Sequence, residues 1–305
     1  VLKRCDPLTG GELTQSTVDS PQSFYLRIAD IVIKLFTDDP EMKIHVEGAT
    51  RDFLVDKAEP DVRIRVTWDD LTKGIWGLPF EALAKEGGVP SETSVKEGEK
   101  LFDSGSLWQL FRQNGSYLFR FASIAFGPLP FKMASFNQDF DFGEVYLHRP
   151  YFDPAHPVYP LENPLDELLL SNLLARGRGV EVHACGVVDA SGNGYLFAGQ
   201  SGAGKSTTAR LWQKHDGITI LSDDRIILRK LDGKIWMHGT PWHGDAGLAC
   251  PTRAPLTRIY FLEKGRENEL VSIKQTGAAA RLFACSFPPF YSREGLDFTD
   301  RKSTV

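Results

Sequence analysis

Residues 199–212 read GQSGAGKSTTARLW. The first eight positions match G-x-x-x-x-G-K-[ST], a loop whose backbone N–H groups wrap phosphate oxygens. An apolar run, YLFAG at 195–199, enters it, and TTARLW opens a helix expected over 205–214. The glycines at Gly199, Gly202 and Gly204 allow a tight turn and keep side chains out of the cradle, which Ser201, Ala203 and Thr207 complete. The N–H groups around Gly202–Lys205 then sit at the positive end of a helix dipole, where anions are favoured. Lys205 can reach β and γ phosphates, and the Ser206 hydroxyl can ligate Mg²⁺.

The first strand after this helix, GITILS at 217–222, ends in Asp223 and Asp224. Acidic residues there can hold a metal's water shell, and a second carboxylate can accept a proton from an attacking hydroxyl. Neighbours on an extended strand point to opposite sides, so both can enter one site only if a turn begins at this point. His183, in VHACGVV before the loop, reads on its own as a half-buried structural histidine. His238 and His243 are too loosely spaced in MHGTPWHGDAG (237–247) to mark a zinc site.

Around this nucleus the C-terminal half reads as a mixed sheet with few helices. VEVHACGVVDASGNGYLFAG (180–199) is strand, Gly-rich turn, strand, and RIILRKLDGKIWMHG (225–239) is a hairpin turning at Asp232-Gly233. LTRIYFLEK (256–264) and ELVSIKQ (269–275) read as strands, and TGAAARLFACS (276–286) as a helix. The N-terminal half, 1–151, is β-rich. DVRIRVTW (61–68) alternates with period two, and SLWQLFRQNGSYLFRF (106–121) is a hairpin about Asn114-Gly115. KIHVEGA (43–49) and GEVYLH (143–148) are further strands, and the phenylalanines of 119–142 belong to a core. Four prolines in FDPAHPVYPLENP (152–164) mark a connecting arm, and PLDELLLSNLLARGRG (164–179) has helical leucine spacing stopped at Gly177. The expected division is therefore 1–151, the arm at 152–164, and a nucleotide-binding domain at 165–305.

The chain's 305 residues suffice for two cores. A net charge of −5 with no Lys/Arg run gives no support to nucleic-acid or membrane partners. The most apolar early stretch, 24–36, is too short to span a bilayer and carries Arg27, Asp30 and Lys34. Four scattered cysteines without C-x-x-C spacing point to reduced thiols and a cytoplasmic protein.

Together, H-A-C-G-V at 183–187, G-Q-S-G-A-G-K-S at 199–206 and S-D-D at 222–224 resemble the C-terminal domain of the HPr kinase/phosphorylase family, in the same order with similar gaps. The resemblance covers about residues 165–285. It implies an α/β fold shared with phosphoenolpyruvate carboxykinases, a mixed sheet around the phosphate loop, and transfer of phosphate from ATP with Mg²⁺ to a serine hydroxyl. It makes Lys205 a phosphate ligand, Ser206, Asp223 and Asp224 metal contacts, the Asp pair the source of the base, and His183 a site residue. Two features depart from the family. Trp236-Met237-His238-Gly239 stands where the family carries Glu-x-Arg-Gly, with Asp245 the nearest following carboxylate, and the N-terminal half matches no carrier-kinase domain.

The expected function is an ATP- and Mg²⁺-dependent kinase acting on a hydroxyl, a serine of a protein or peptide, with the β-rich half recognising the acceptor. A small-molecule kinase on the same machinery and a nucleotide sensor without phosphotransfer remain as alternatives, and a homo-oligomer is left open.

Overall fold

The Asn114-Gly115 pair turns as its sequence requires. Both residues adopt positive φ, 50° and 80°, joining β6 (Trp108–Gln113) to β7 (Ser116–Phe121). Asp232-Gly233 does the same, at 49° and 76°, between β13 (Arg225–Leu231) and β14 (Lys234–His238). These two hairpins lie in two separate mixed sheets of a computed structural model, which describes residues 22–71, 98–127, 129–153 and 155–303.

The first sheet has nine strands in the order β3-β1-β2-β4-β9-β8-β7-β6-β5. Its remaining members are β1 (Ser23–Ile28), β2 (Ile31–Phe36), β3 (Leu54–Val55), β4 (Val62–Asp69), β5 (Glu99–Asp103), β8 (Lys132–Phe136) and β9 (Phe142–His148). β4 runs parallel to both β2 and β9, and every other pairing in it is antiparallel. The alternation read in 61–68 places Val62, Ile64 and Val66 inward, all fully buried. Phe119, Phe121, Phe136 and Phe140 are buried beside them, while Phe142 lies on the surface.

The expected strand at 43–49 is absent. Ile44 and Val46 are buried, so the periodicity is sound, but the only ladder contact is a single bridge from Ile44 to Val158, and a 3-10 turn follows at Gly48–Phe53. The partner is the Pro-rich arm. Lys132 Nζ donates to the arm's carbonyls at Pro160 and Glu162, so the segment is pinned along its length.

α1 (Leu165–Leu173) follows the Pro-rich arm. Leu165, Leu169, Leu170 and Leu173 pack into the core of the nine-stranded sheet, together with Ile227 and Trp242 from the second half. A π-turn at Leu174–Arg178 then leads out through Gly177, at φ 91°. The β1–β2 turn also docks on the second sheet: Asp30 pairs with Arg253 at 2.5 Å and Arg229 donates to the Ala29 carbonyl.

The second sheet runs β11-β15-β14-β13-β10-β12, with β10 also paired to β11. It adds β10 (Val180–Val188), β11 (Gly194–Ala198), β12 (Thr219–Ser222) and β15 (Arg253–Phe261). β10 and β15 each change partner midway. β10 pairs with β13 through its first half and with β11 and β12 through its second, and β15 passes from β14 to a parallel pairing with β11. The sheet thus turns a corner about Val182, Ala184, Leu196, Leu221 and Ile226, which are buried in its hollow. α2 (Lys205–Trp212) and α3 (Gln275–Ala284) fall where the sequence places them. The expected strand at 269–275 is instead an exposed irregular segment that leads into α3, and α4 (Arg293–Ser303) has no counterpart in the sequence reading. Among the described residues, no helix is long and apolar enough to cross a membrane.

Candidate functional site

The phosphate loop leaves β11 and enters α2, with Gly202 at φ 77° and Gly204 at 110°, conformations that strain any residue bearing a Cβ. Gly199 has a second constraint: a Cβ there would meet the Ala203 Cβ at 2.8 Å. Ser201, Gly202 and Thr207 are open to solvent and Ser206 is half-buried, whereas Lys205 is buried. Its Nζ donates to the carbonyls of Gly199 and Gln200, at 2.9 and 3.1 Å. Burial lowers its pKa, opposed chiefly by the charge of Asp224.

Beside the loop opens a cavity of about 460 Å³. It is lined by Gly199–Ala203, by Phe261–Lys264 at the end of β15, and by Arg281, Ala284 and Cys285 of the α3 end. Both strand ends reach it because β15 runs parallel to β11 and finishes at the same level.

The two aspartates lie where the strand stops. Ser222, fully buried, ends β12 and gives its hydroxyl to the Trp242 carbonyl at 2.7 Å. The same oxygen accepts the N–H groups of Asp224 and Arg225, both at 3.1 Å. This side-chain cap breaks the strand and supplies the turn needed to bring both carboxylates to one site.

Their surroundings differ. Asp223 is 0% exposed and accepts four hydrogen bonds. Ser206 Oγ donates at 2.9 Å, and the backbone N–H groups of Gly244, Ala246 and Leu248 donate at 3.0, 3.0 and 3.2 Å. An ionised carboxylate offers about four acceptor positions, so this one is filled by the protein. Asp223 is thereby a clasp between the phosphate loop and the 243–248 loop, and of the roles expected for the pair, direct metal contact and proton acceptance fit Asp224. That side chain is 25% exposed and receives His183 Nε2 at 2.9 Å. Burial works against its ionisation, but the His183 hydrogen bond and the charges of Arg225, His183 and Lys205 outweigh it and hold the carboxyl below its ordinary range.

His183 itself lies where β10 passes from its pairing with β13 to its pairing with β11. Its N–H donates to the Cys285 carbonyl, its carbonyl accepts from Gly199, and it stands opposite Arg225 in the β10–β13 register. Thus Lys205, Ser206, Asp223, Asp224 and His183 converge, as the sequence reading requires. His238 and His243 do not join them. His238 is buried near Asp30, its pKa pushed down to about 4 by burial, and His243 is exposed with its ring bonded to the Gly244 carbonyl. Asp245 is exposed, and its backbone carbonyl accepts from Arg210. Cys185 and Cys285 are free thiols.

Several participants escaped the sequence reading. Gly244 is one: a Cβ there would meet Asp223 Oδ2 at 2.9 Å and Ser206 Oγ at 3.2 Å, and the W-H-G-D-A-G run was its only signal. Trp242 Nε1 donates at 2.7 Å to Asp166 on α1, whose pKa burial raises to about 6. Glu167, the next residue on α1, faces Arg225.

For Mg²⁺ the fitting donors are hard oxygens, the Ser206 hydroxyl and the accessible Asp224 carboxylate, with phosphate oxygens completing the set. Among the described residues, no group of three or more His, Cys, Asp or Glu side chains is arranged to hold a metal by itself. No family model matches the chain, and no curated protein matches it.

Proposed function

We propose that this chain is an ATP- and Mg²⁺-dependent kinase of the HPr-kinase-like, carboxykinase-fold type, transferring the γ-phosphoryl group to a hydroxyl, a serine of a protein or peptide. The observation that carries the reading is the pairing of a phosphate loop with two differently placed aspartates: Asp223 clasps Ser206, while Asp224, ordered by His183, keeps an accessible ionised carboxylate. The roles follow from this placement. The loop's N–H groups and Lys205 bind the phosphates, Lys205 leaving its carbonyl partners for them. Ser206 and Asp224 would hold Mg²⁺, which would supply charge neutralisation at the phosphate oxygens. Asp224 accepts the acceptor's hydroxyl proton, and His183 fixes its orientation. Catalysis of this kind rests on positioning and charge stabilisation more than on covalent chemistry. The 460 Å³ cavity is within the range that holds small ligands and is assigned to the nucleotide. The nine-stranded sheet is assigned to acceptor recognition.

A nucleotide sensor without transfer is the second reading. It is favoured by the lack of a carboxylate where the family carries Glu, since Trp236 stands there and a buried His238 stands at the Arg position. Incubation with γ-labelled ATP, Mg²⁺ and a lysate separates the two. The kinase reading expects a labelled acceptor that disappears with Lys205→Ala, and an Asp224→Asn variant that binds metal-free ADP as wild type does while transfer falls about 10²–10⁴-fold. Binding of ATP with no labelled product under any condition would refute it in favour of the sensor.

A further inference from the structure

Arg225 is held in a way that does not suit a structural ion pair. Its Nε lies 3.5 Å from Glu181 Oε1, 3.5 Å from Asp224 Oδ2 and 3.7 Å from Glu167 Oε1. Three carboxylates thus surround one guanidinium, yet Nε has no hydrogen-bond partner. Glu181 is 2% exposed, and neither of its oxygens has a partner either. A buried ion pair offsets its desolvation only with short, well-aligned hydrogen bonds, and here the contacts are long on every side. The guanidinium is fixed in orientation by a different contact, its Cζ 3.8 Å from the centre of the Phe287 ring. Stacking of this kind sets the plane of the fork while leaving its N–H groups free to choose acceptors.

The location adds the ligand. Arg225 follows the accessible Asp224 directly, stands opposite His183 across the β10–β13 ladder, and its charge is felt at Lys205. A cation on this side of Asp224 would otherwise duplicate nothing in the loop, which has Lys205 as its only cation. We infer that Arg225 is a γ-phosphate ligand: its fork leaves the carboxylate cage and bonds a γ-phosphoryl oxygen of bound ATP.

This rests on the kinase reading and adds a cation on the Asp224 side to Lys205 of the loop and to Lys264 and Arg281 of the cavity wall. During transfer the bond between the γ-phosphorus and the β–γ bridging oxygen breaks and the acceptor oxygen forms the new one. The hydroxyl proton passes to Asp224, ADP leaves with the bridging electron pair, and Arg225 stays bonded to the moving phosphoryl group. The long contacts to Glu167, Glu181 and Asp224 are what let the fork move without losing a strong hydrogen bond.

The test compares affinities of ATP and ADP, with Mg²⁺, by titration calorimetry on wild type, Arg225→Lys, Arg225→Ala and the double variant Arg225→Met/Glu181→Gln. The double variant removes the cation together with the acidity of the buried carboxyl it faces, so it remains informative if Arg225→Ala does not fold. Loss of one charged hydrogen-bonding group predicts about 10- to 100-fold weaker ATP binding with ADP unchanged, and only partial retention by lysine. An ATP:ADP affinity ratio unaltered in the folded variants would overturn the inference and leave the kinase reading standing. Wild-type protein that binds neither nucleotide would overturn both, at the earlier step.

Discussion

Replacing Asp223 by alanine removes four acceptor contacts at once. Three of the donors are backbone N–H groups of one loop, at Gly244, Ala246 and Leu248, and the fourth is the Ser206 hydroxyl. A buried donor left without a partner costs about 1–3 kcal/mol. Gly244, Ala246 and Leu248 are only half-buried, so water relieves part of the loss. Taking roughly 1–1.5 kcal/mol for each N–H gives a destabilisation of about 3–5 kcal/mol, a large share of the 5–15 kcal/mol of an ordinary domain. Asp223→Asn is milder but still harmful, because its amide nitrogen must face donors on one side. Asp224→Asn touches one hydrogen bond at a quarter-exposed position and is expected to change stability by less than about 1 kcal/mol. Urea denaturation of the three variants measures this directly, with nucleotide binding as a second readout. The reasoning fails if Asp223→Ala unfolds within 1 kcal/mol of wild type, or if the two aspartates prove interchangeable in stability.

Gly244→Ala places a methyl group against Asp223 and Ser206, and is expected to cost about 1–3 kcal/mol and to weaken nucleotide binding, read from the same two assays. Ser222→Ala leaves the N–H groups of Asp224 and Arg225 uncapped and should cost about 1–3 kcal/mol while lowering turnover, because the bend that presents Asp224 is loosened. Lys132 gives a pH dependence. Burial pushes its pKa down to about 8, from 10.5 in the unfolded chain, so between these values the unfolded state holds more protons and stability rises with pH. The rise is about 3 kcal/mol across that window, and Lys132→Met should flatten it in denaturation curves taken from pH 7 to pH 10.5. An unchanged slope in the variant would show that Lys132 does not titrate in this way.

What the sequence disclosed was local. The Gly-rich loop between β11 and α2, the two Xaa-Gly hairpin turns and the Asp pair after β12 each depend on neighbours within a few residues, and each falls at the element boundary the sequence pattern predicts. Even the bend at Ser222 was implied, since two adjacent carboxylates cannot otherwise share a site, although the capping hydroxyl was not foreseen. What stayed hidden depends on distant partners. Trp242 and Asp166 are 76 residues apart, and nothing in either neighbourhood announces the bond. Glu167 read as one polar position of a leucine-rich helix, and Glu181 as one polar position of a strand. The segment 43–49 has the correct alternation, but it packs as a single bridge to the arm. The segment 269–275 also carries apolar residues, yet Leu270 and Val271 are exposed, because among the described residues no strand pairs with them to complete a ladder. α4 was missed because its sequence, REGLDFTDRKS, offers few apolar positions to set a helical period.

Helix α1 has a consequence for how this chain can be divided. The prolines of 152–164 look like a hinge between exchangeable parts, but the cut they suggest would strand four buried leucines on the fragment that does not contain their core. The natural seam lies at 176–179, after the helix, where Gly177 and Gly179 carry the chain across to β10. A C-terminal piece beginning there would still be deprived of Glu167 beside Arg225 and of Asp166 beneath Trp242. The C-terminal half is therefore not a cassette that can be lifted onto another N-terminal domain. Any graft that preserves its site has to carry α1 along, and with it the sheet in which α1 is seated.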